Sequence, residues 1–124
     1  MAGSNKAEHK SFDHPDETRS FPGGKGKAQI AKVGGVTLGR GYFEPGWQWS
    51  KHIKPIAKTE YCEAIHTGVV LEGRMRVRMK DGTESEVGPG DAVHVPAGHD
   101  AWIVGTQRCV MIDFTGFGNY AKPN

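Results

Sequence analysis

His66-Thr67-Gly68-Val69-Val70-Leu71-Glu72-Gly73, Gly88-Pro89-Gly90-Asp91 and Pro96-Ala97-Gly98-His99 are the stretches whose reading decides the fold of this chain. The first is a β-type run ending on a glycine; the other two are turns on either side of a short apolar segment. Outward from them, residues 28–114 keep the same rhythm of short β-type runs and Gly or Pro punctuation, with no sustained helical period. Strands are predicted near residues 29–33, 36–43, 61–71, 74–79, 84–87, 92–95, 101–104 and 109–114. So many closely spaced strands predict a sandwich or a barrel.

The hairpin around Asp81-Gly82 sharpens this reading. Met75, Val77 and Met79 share one face of their strand, and Arg74, Arg76, Arg78 and Lys80 share the other. A two-residue loop would set Met79 opposite Glu84. A loop of Asp81, Gly82 and Thr83 instead pairs Lys80 with Glu84, Arg78 with Glu86 and Val77 with Val87, so that charge meets charge and apolar meets apolar. The arginine stripe then reads as a solvated outer face neutralised by its neighbour, rather than as an anion-binding surface.

A chain of 124 residues is long enough for one core and too short for two ordinary ones. Gly and Pro are plentiful, yet apolar residues still make up 36%, which fits a turn-rich globular domain and not a disordered one. The formal charge of +2, with both signs interspersed, leaves no electrostatic footprint for nucleic acid, and no apolar run is long enough to span a bilayer. The N-terminus lacks the apolar core of a secretory signal and only Cys62 and Cys109 are present, so a cytoplasmic setting with free thiols is expected. Residues 1–22 read as a mobile polar arm anchored by Phe12 and Phe21, with Phe21-Pro22-Gly23-Gly24 as the hinge into a single domain over 23–124.

Together with Pro45-Gly46 and His52, the opening stretches resemble the paired signature motifs of the cupin family, small β-barrels that often carry one metal ion in the lumen. The resemblance runs from about Val36 to Phe114 and implies an all-β double-stranded β-helix, or jelly-roll barrel. In the first motif of that family a His-x-His pair follows a Pro-Gly turn, and a Glu stands seven positions before a Gly. If Gly73 is that Gly, His66 occupies the Glu slot. Counting forward from Pro45-Gly46 puts His52 and Lys54 in the His slots, whereas counting backward from His66 puts Glu60 and Cys62 there. In the second motif the ligand His commonly falls three positions after the Gly of Pro-x-Gly; Ala101 stands there, and His99 lies one pleat earlier, about 7 Å away along the strand. The run from Pro96 to Trp102 is similar to that of a subgroup of small stand-alone cupins whose activities are mostly unassigned.

The candidate metal ligands are therefore His66, His52, Cys62 and His99, in that order. Cys62 and His66 share a strand face, but residues four apart on a straight strand are separated by roughly 13 Å, so both can hold one ion only if the chain bends between them. Imidazole and thiolate suit a transition metal such as Zn, Fe, Ni or Cu, whereas hard oxygen sites suit Mg or Ca. Beside this stand the bland readings: satisfied pocket histidines and a buried apolar thiol. Trp47 and Trp49 flank the turn before His52 and suit the mouth of a pocket for a flat or apolar ligand, with His94 and Trp102 as further lining candidates. No catalytic residue is identified, and Cys109 is expected to pack.

Two functions of different class follow. One is a metal-dependent enzyme, a dioxygenase or isomerase acting on a small organic molecule. The other is a non-catalytic binding or sensor barrel whose metal is absent or structural. The resemblance also implies a homodimer formed by pairing or exchanging N-terminal strands, with the 28–33 strand as the exchanged element, and no nucleic-acid or membrane partner.

Overall fold

The computed structural model describes residues 5–115, 117, 120 and 121. The first four residues of the expected arm, and residues 116, 118, 119 and 122–124 of the expected domain, lie outside the described residues. Among the described residues nine strands form two antiparallel sheets. β1 (Glu17–Ser20), β2 (Gly26–Val33), β3 (Val36–Phe43), β4 (His66–Glu72), β7 (Ala92–Val95) and β9 (Cys109–Asp113) make the larger, in the order β1-β2-β3-β9-β4-β7; β5 (Arg74–Met79), β6 (Glu84–Val87) and β8 (His99–Val104) make the smaller, in the order β6-β5-β8. From β4 onward the chain passes back and forth between the sheets. The expected all-β fold is present as two antiparallel sheets, and among the described residues the hydrogen-bonded ladders do not close on each other into a barrel.

Alternation decides what lies between the sheets. Along β9, Cys109, Met111 and Asp113 face the same way, and β2 places Ala28 and Ile30 against Gly41 and Gly39 of β3 on that inner face. Val70, Met75, Val77, Val95, Ala101 and Ile103 complete the core from both sheets. Cys109 packs as expected: it is fully buried, and burial pushes its thiol up to about 12.

The β5–β6 hairpin has a three-residue loop, but a shifted one. Met79 N–H donates to the Thr83 carbonyl and Gly82 N–H to the Met79 carbonyl, so the loop is Lys80-Asp81-Gly82 and the pairs are Met75↔Val87, Arg76↔Glu86 and Arg78↔Glu84. The reason is Gly82: its φ of +92° belongs at the last position of such a loop, where a type I turn needs a left-handed residue. A shift by two preserves the faces, so Arg74 and Arg76 still meet Glu84 and Glu86 at 2.5–3.0 Å as an exposed network.

Three further differences bear on the site. Residues 17–20, expected in the arm, pair with β2 as β1, and Arg19 is buried because its guanidinium donates to the Phe117 and Tyr120 carbonyls at 2.7 and 2.8 Å. The stretch after Trp47 folds into two single-turn helices, α1 (Trp49–His52) and α2 (Lys54–Ala57). The strand expected over 61–71 begins only at His66, because Cys62 bridges instead to His99 at the start of β8. β2, the strand expected to exchange between subunits, is paired on both sides within its own chain, and β1 is the edge.

Candidate metal centre

The bend that joins Cys62 to His66 is made by a change of sheet. Cys62 N–H donates to the His99 carbonyl at 2.8 Å, and the Cys62 carbonyl accepts from Gly98 N–H at 2.8 Å, which ties it to the smaller sheet. Four residues on, His66 pairs with Val95 of β7 in the larger sheet. The chain between them crosses from one layer to the other, so the two side chains converge. Cys62 Sγ lies 3.7 Å from His66 Nε2, and the donor atoms of Cys62, His66 and His99 all fall within 4.8 Å of one another.

Each imidazole is oriented by its far nitrogen. His99 Nδ1 lies 2.7 Å from the Pro96 carbonyl, which only accepts, so Nδ1 carries the proton and Nε2 presents a lone pair. Burial lowers the His99 pKa to about 4, which keeps the ring neutral near pH 7. His66 Nδ1 lies 2.5 Å from Asp113 Oδ2, and Asp113 Oδ1 accepts from Thr115 N–H at 2.8 Å. With Nδ1 engaged by the Asp113 carboxyl, Nε2 is the nitrogen that His66 turns toward Cys62. Burial, ahead of nearby carboxylates, pushes the Cys62 thiol up to about 12, so without an ion it is a thiol that can donate to His66 Nε2.

Two nitrogens and one sulfur fit a borderline transition ion far better than Mg or Ca, and three protein donors leave a coordination position over. The two imidazoles adjoin a cavity of about 40 Å³, whose walls include Phe43, Trp47, Trp49, Met111, Phe117 and Tyr120 together with His66, His99 and Asp113. A water needs roughly 10–15 Å³ on this measure, so the space admits a molecule of a few heavy atoms. The Tyr120 ring stands edge-on to His66 at 5.2 Å and stacks on Phe117 at 5.0 Å, and burial holds its phenol well above the ordinary range.

Of the residues singled out from the sequence, Cys62, His66 and His99 come together, and Trp47 and Trp49 wall the adjoining cavity. His52 is elsewhere: it is the last residue of α1, and its Nδ1 accepts from Gln48 N–H at 3.0 Å. Lys54, in the alternative His slot, pairs with Glu60 at 3.3 Å on the surface. His94 is exposed and bonds Thr67 Oγ1 at 2.9 Å, while Trp102 is half-buried and alternates away from the lumen, where Ala101 and Ile103 point. Sequence reasoning missed Asp113, Phe117 and Tyr120. Asp113 had a signal: it shares the inner face with Cys109 and Met111, and a carboxylate at a core position needs a partner.

α1 owes its place to Asp100, whose carboxylate accepts from Ser50 N–H at 3.0 Å and from Gln48 Nε2 at 2.9 Å. That tether sets Trp47 and Trp49 against the cavity.

The fold and its enclosed donor set define a small two-sheet β-protein with a candidate metal centre near one end of β4 and β8. A family model for the cupin domain matches residues 51–115, just over half of the chain, and the chain belongs to the cupin family. Among solved structures it is similar to the polyketide cyclase RemF from Streptomyces resistomycificus, at 18% identity and a TM-score of 0.62 over 90% of this chain and 80% of that one. It is similar also to a protein of unknown function from Vibrio parahaemolyticus (14% identity, TM-score 0.58, covering 78% and 95%). A protein of unknown function from Rhizobium leguminosarum matches at 23% identity and a TM-score of 0.54, covering 77% and 85%. At these identities the likeness concerns the fold. Comparison with curated proteins finds no match. Among the described residues no helix is long and apolar enough to cross a membrane.

Proposed function

We propose that this cupin holds one transition-metal ion, Zn, Fe, Ni or Cu, on Cys62, His66 and His99, and that it acts on a small organic molecule there, as a dioxygenase or an isomerase. The observation that carries the reading is the convergence of three donors within 4.8 Å, two of them imidazoles whose far nitrogens are already engaged. A bound ion would supply Lewis acidity to an oxygen of that molecule. The chain's own part is to position and to exclude: Asp113 holds the His66 Nδ1 proton, the Pro96 carbonyl holds that of His99, and the aromatic walls keep bulk water out.

The second reading is a metal-free binding barrel. It is favoured by the Cys62 thiol, which burial keeps protonated and which already has an acceptor in His66. Elemental mass spectrometry decides between them. Near-stoichiometric metal in the wild type, lost in His66→Ala and in His99→Ala but kept in His52→Ala, supports the centre. Absence of metal after reconstitution under reducing conditions overturns it. Oxygen consumption by the iron-loaded protein with small acids and phenols then tests the dioxygenase arm. We further propose a homodimer, supported by the open edge of β1, which a mass in solution equal to one chain at micromolar concentration overturns.

A further inference from the structure

We infer that the cavity beside His66 and His99 is a dry chamber that takes a small apolar molecule, dioxygen in the chemistry proposed above. The part given to dioxygen rests on the reading of the centre as an oxygen-using metal site; the chamber itself does not. Ten of the thirteen residues around this space of about 40 Å³ bring aromatic, aliphatic or thioether side chains. Met75, Val77 and Ala101 line it from the smaller sheet, and Phe43, Val95 and Met111 from the larger. Every lining residue except His66 is at most 9% exposed, and the His66 side chain is 13% exposed, so the walls screen the space from bulk water.

Water is held in a buried cavity by several polar partners at once. The imidazoles and the carboxylate of these walls are already engaged: His66 Nδ1 with Asp113 Oδ2, His66 Nε2 with Cys62 Sγ, Asp113 Oδ1 with the Thr115 N–H, and His99 Nδ1 with the Pro96 carbonyl. The remaining ring nitrogen, His99 Nε2, is the one the proposed ion takes, and the Trp47 indole nitrogen is too deeply buried to meet a water. An acid, a phosphate or an alcohol entering the space gives up hydrogen bonds to water, and among the described residues no lysine or arginine lines it in exchange. A molecule without charge or hydrogen-bonding groups gives up nothing and gains apolar contact. Apolar cavities stay empty of water and take up guests such as xenon or benzene. Dioxygen belongs to this class, and in the chamber it lies against both imidazoles.

The test uses xenon, an apolar guest without chemistry of its own, on metal-free and zinc-loaded protein. Expected in both forms is one saturable site, read in the xenon chemical shift and in shifts of the Val95, Ala101 and Met111 methyl resonances, while methanol at the same concentration moves none of them. Ala101→Leu fills the space and abolishes the site. Val77→Ala enlarges it and tightens xenon binding severalfold, a reading that holds even if the filled variant folds poorly. In ferrous protein, xenon slows the association of nitric oxide, a stand-in for dioxygen, followed by stopped-flow absorbance. Absence of a xenon site, an equal response to methanol, or an ordered water in the chamber of a crystal of the metal-free protein overturns the inference. Xenon bound with nitric oxide association unchanged overturns the part given to dioxygen. Failure to load iron or zinc, with the xenon site intact in the metal-free protein, overturns the metal centre and leaves the chamber standing.

Discussion

His66 Nδ1 and Asp113 Oδ2 meet at 2.5 Å across the β4–β9 ladder, on a diagonal: the residue directly opposite Asp113 is Gly68, two positions along from His66. The diagonal is open because Gly68 has no side chain, and a Cβ there would run into the Ile112 carbonyl. A buried carboxylate and an inward imidazole thus satisfy each other while leaving Nε2 directed at Cys62 and the neighbourhood of His99.

From this contact, Asp113→Asn is expected to lower zinc affinity by about 10- to 100-fold, because an amide no longer holds His66 in the ligating tautomer with a charged acceptor. Competition titration against a chromogenic chelator reads the effect. His52→Ala, remote from the donor set, leaves the affinity unchanged; an equal loss in both variants would sink the assignment.

The metal-free protein is expected to lose stability on acidification through His99. Its folded pKa of about 4 lies below the ordinary 6.5, so between these values the unfolded chain binds the proton and the folded protein does not. Stability is therefore full above about pH 6.5 and declines toward pH 4, by about 3 kcal/mol in all for this group. Urea midpoints of chelator-treated protein across that window test it, and His99→Gln flattens the profile if the group is the cause.

Arg19 ties β1 to the carbonyls of Phe117 and Tyr120, two walls of the cavity. Arg19→Met is expected to cost about 2 kcal/mol and to speed amide exchange at residues 117, 120 and 121 ahead of the sheets. Uniform acceleration across the molecule would show that no local latch exists.

Gly39 of β3 gives the Phe117 ring its seat, and a methyl at Gly39 would overlap that ring. Gly39→Ala is expected to destabilise by roughly 1–3 kcal/mol, as overpacking does, and to displace Phe117 from the cavity wall. An unchanged urea midpoint would contradict the packing described.

Local pattern determined much of this protein from the sequence alone. The alternation of Met75, Val77 and Met79 against the arginines, and the glycine and proline turns around Ala92–Val95, marked four strands at the bounds the structure shows: Val36–Phe43, Arg74–Met79, Glu84–Val87 and Ala92–Val95. The family motifs also marked Cys62, His66 and His99. Spacing along the chain could not say which of His52 and Cys62 joins His66, because that depends on where the chain changes sheets. Only the tertiary structure set Cys62 against His99 and His66 against Val95, left His52 in α1 bonded to the Gln48 backbone, and brought Asp113, Phe117 and Tyr120 from the far end of the chain to the same cavity. Periodicity reports which face a side chain takes; the partner it meets there is chosen by strands distant in sequence.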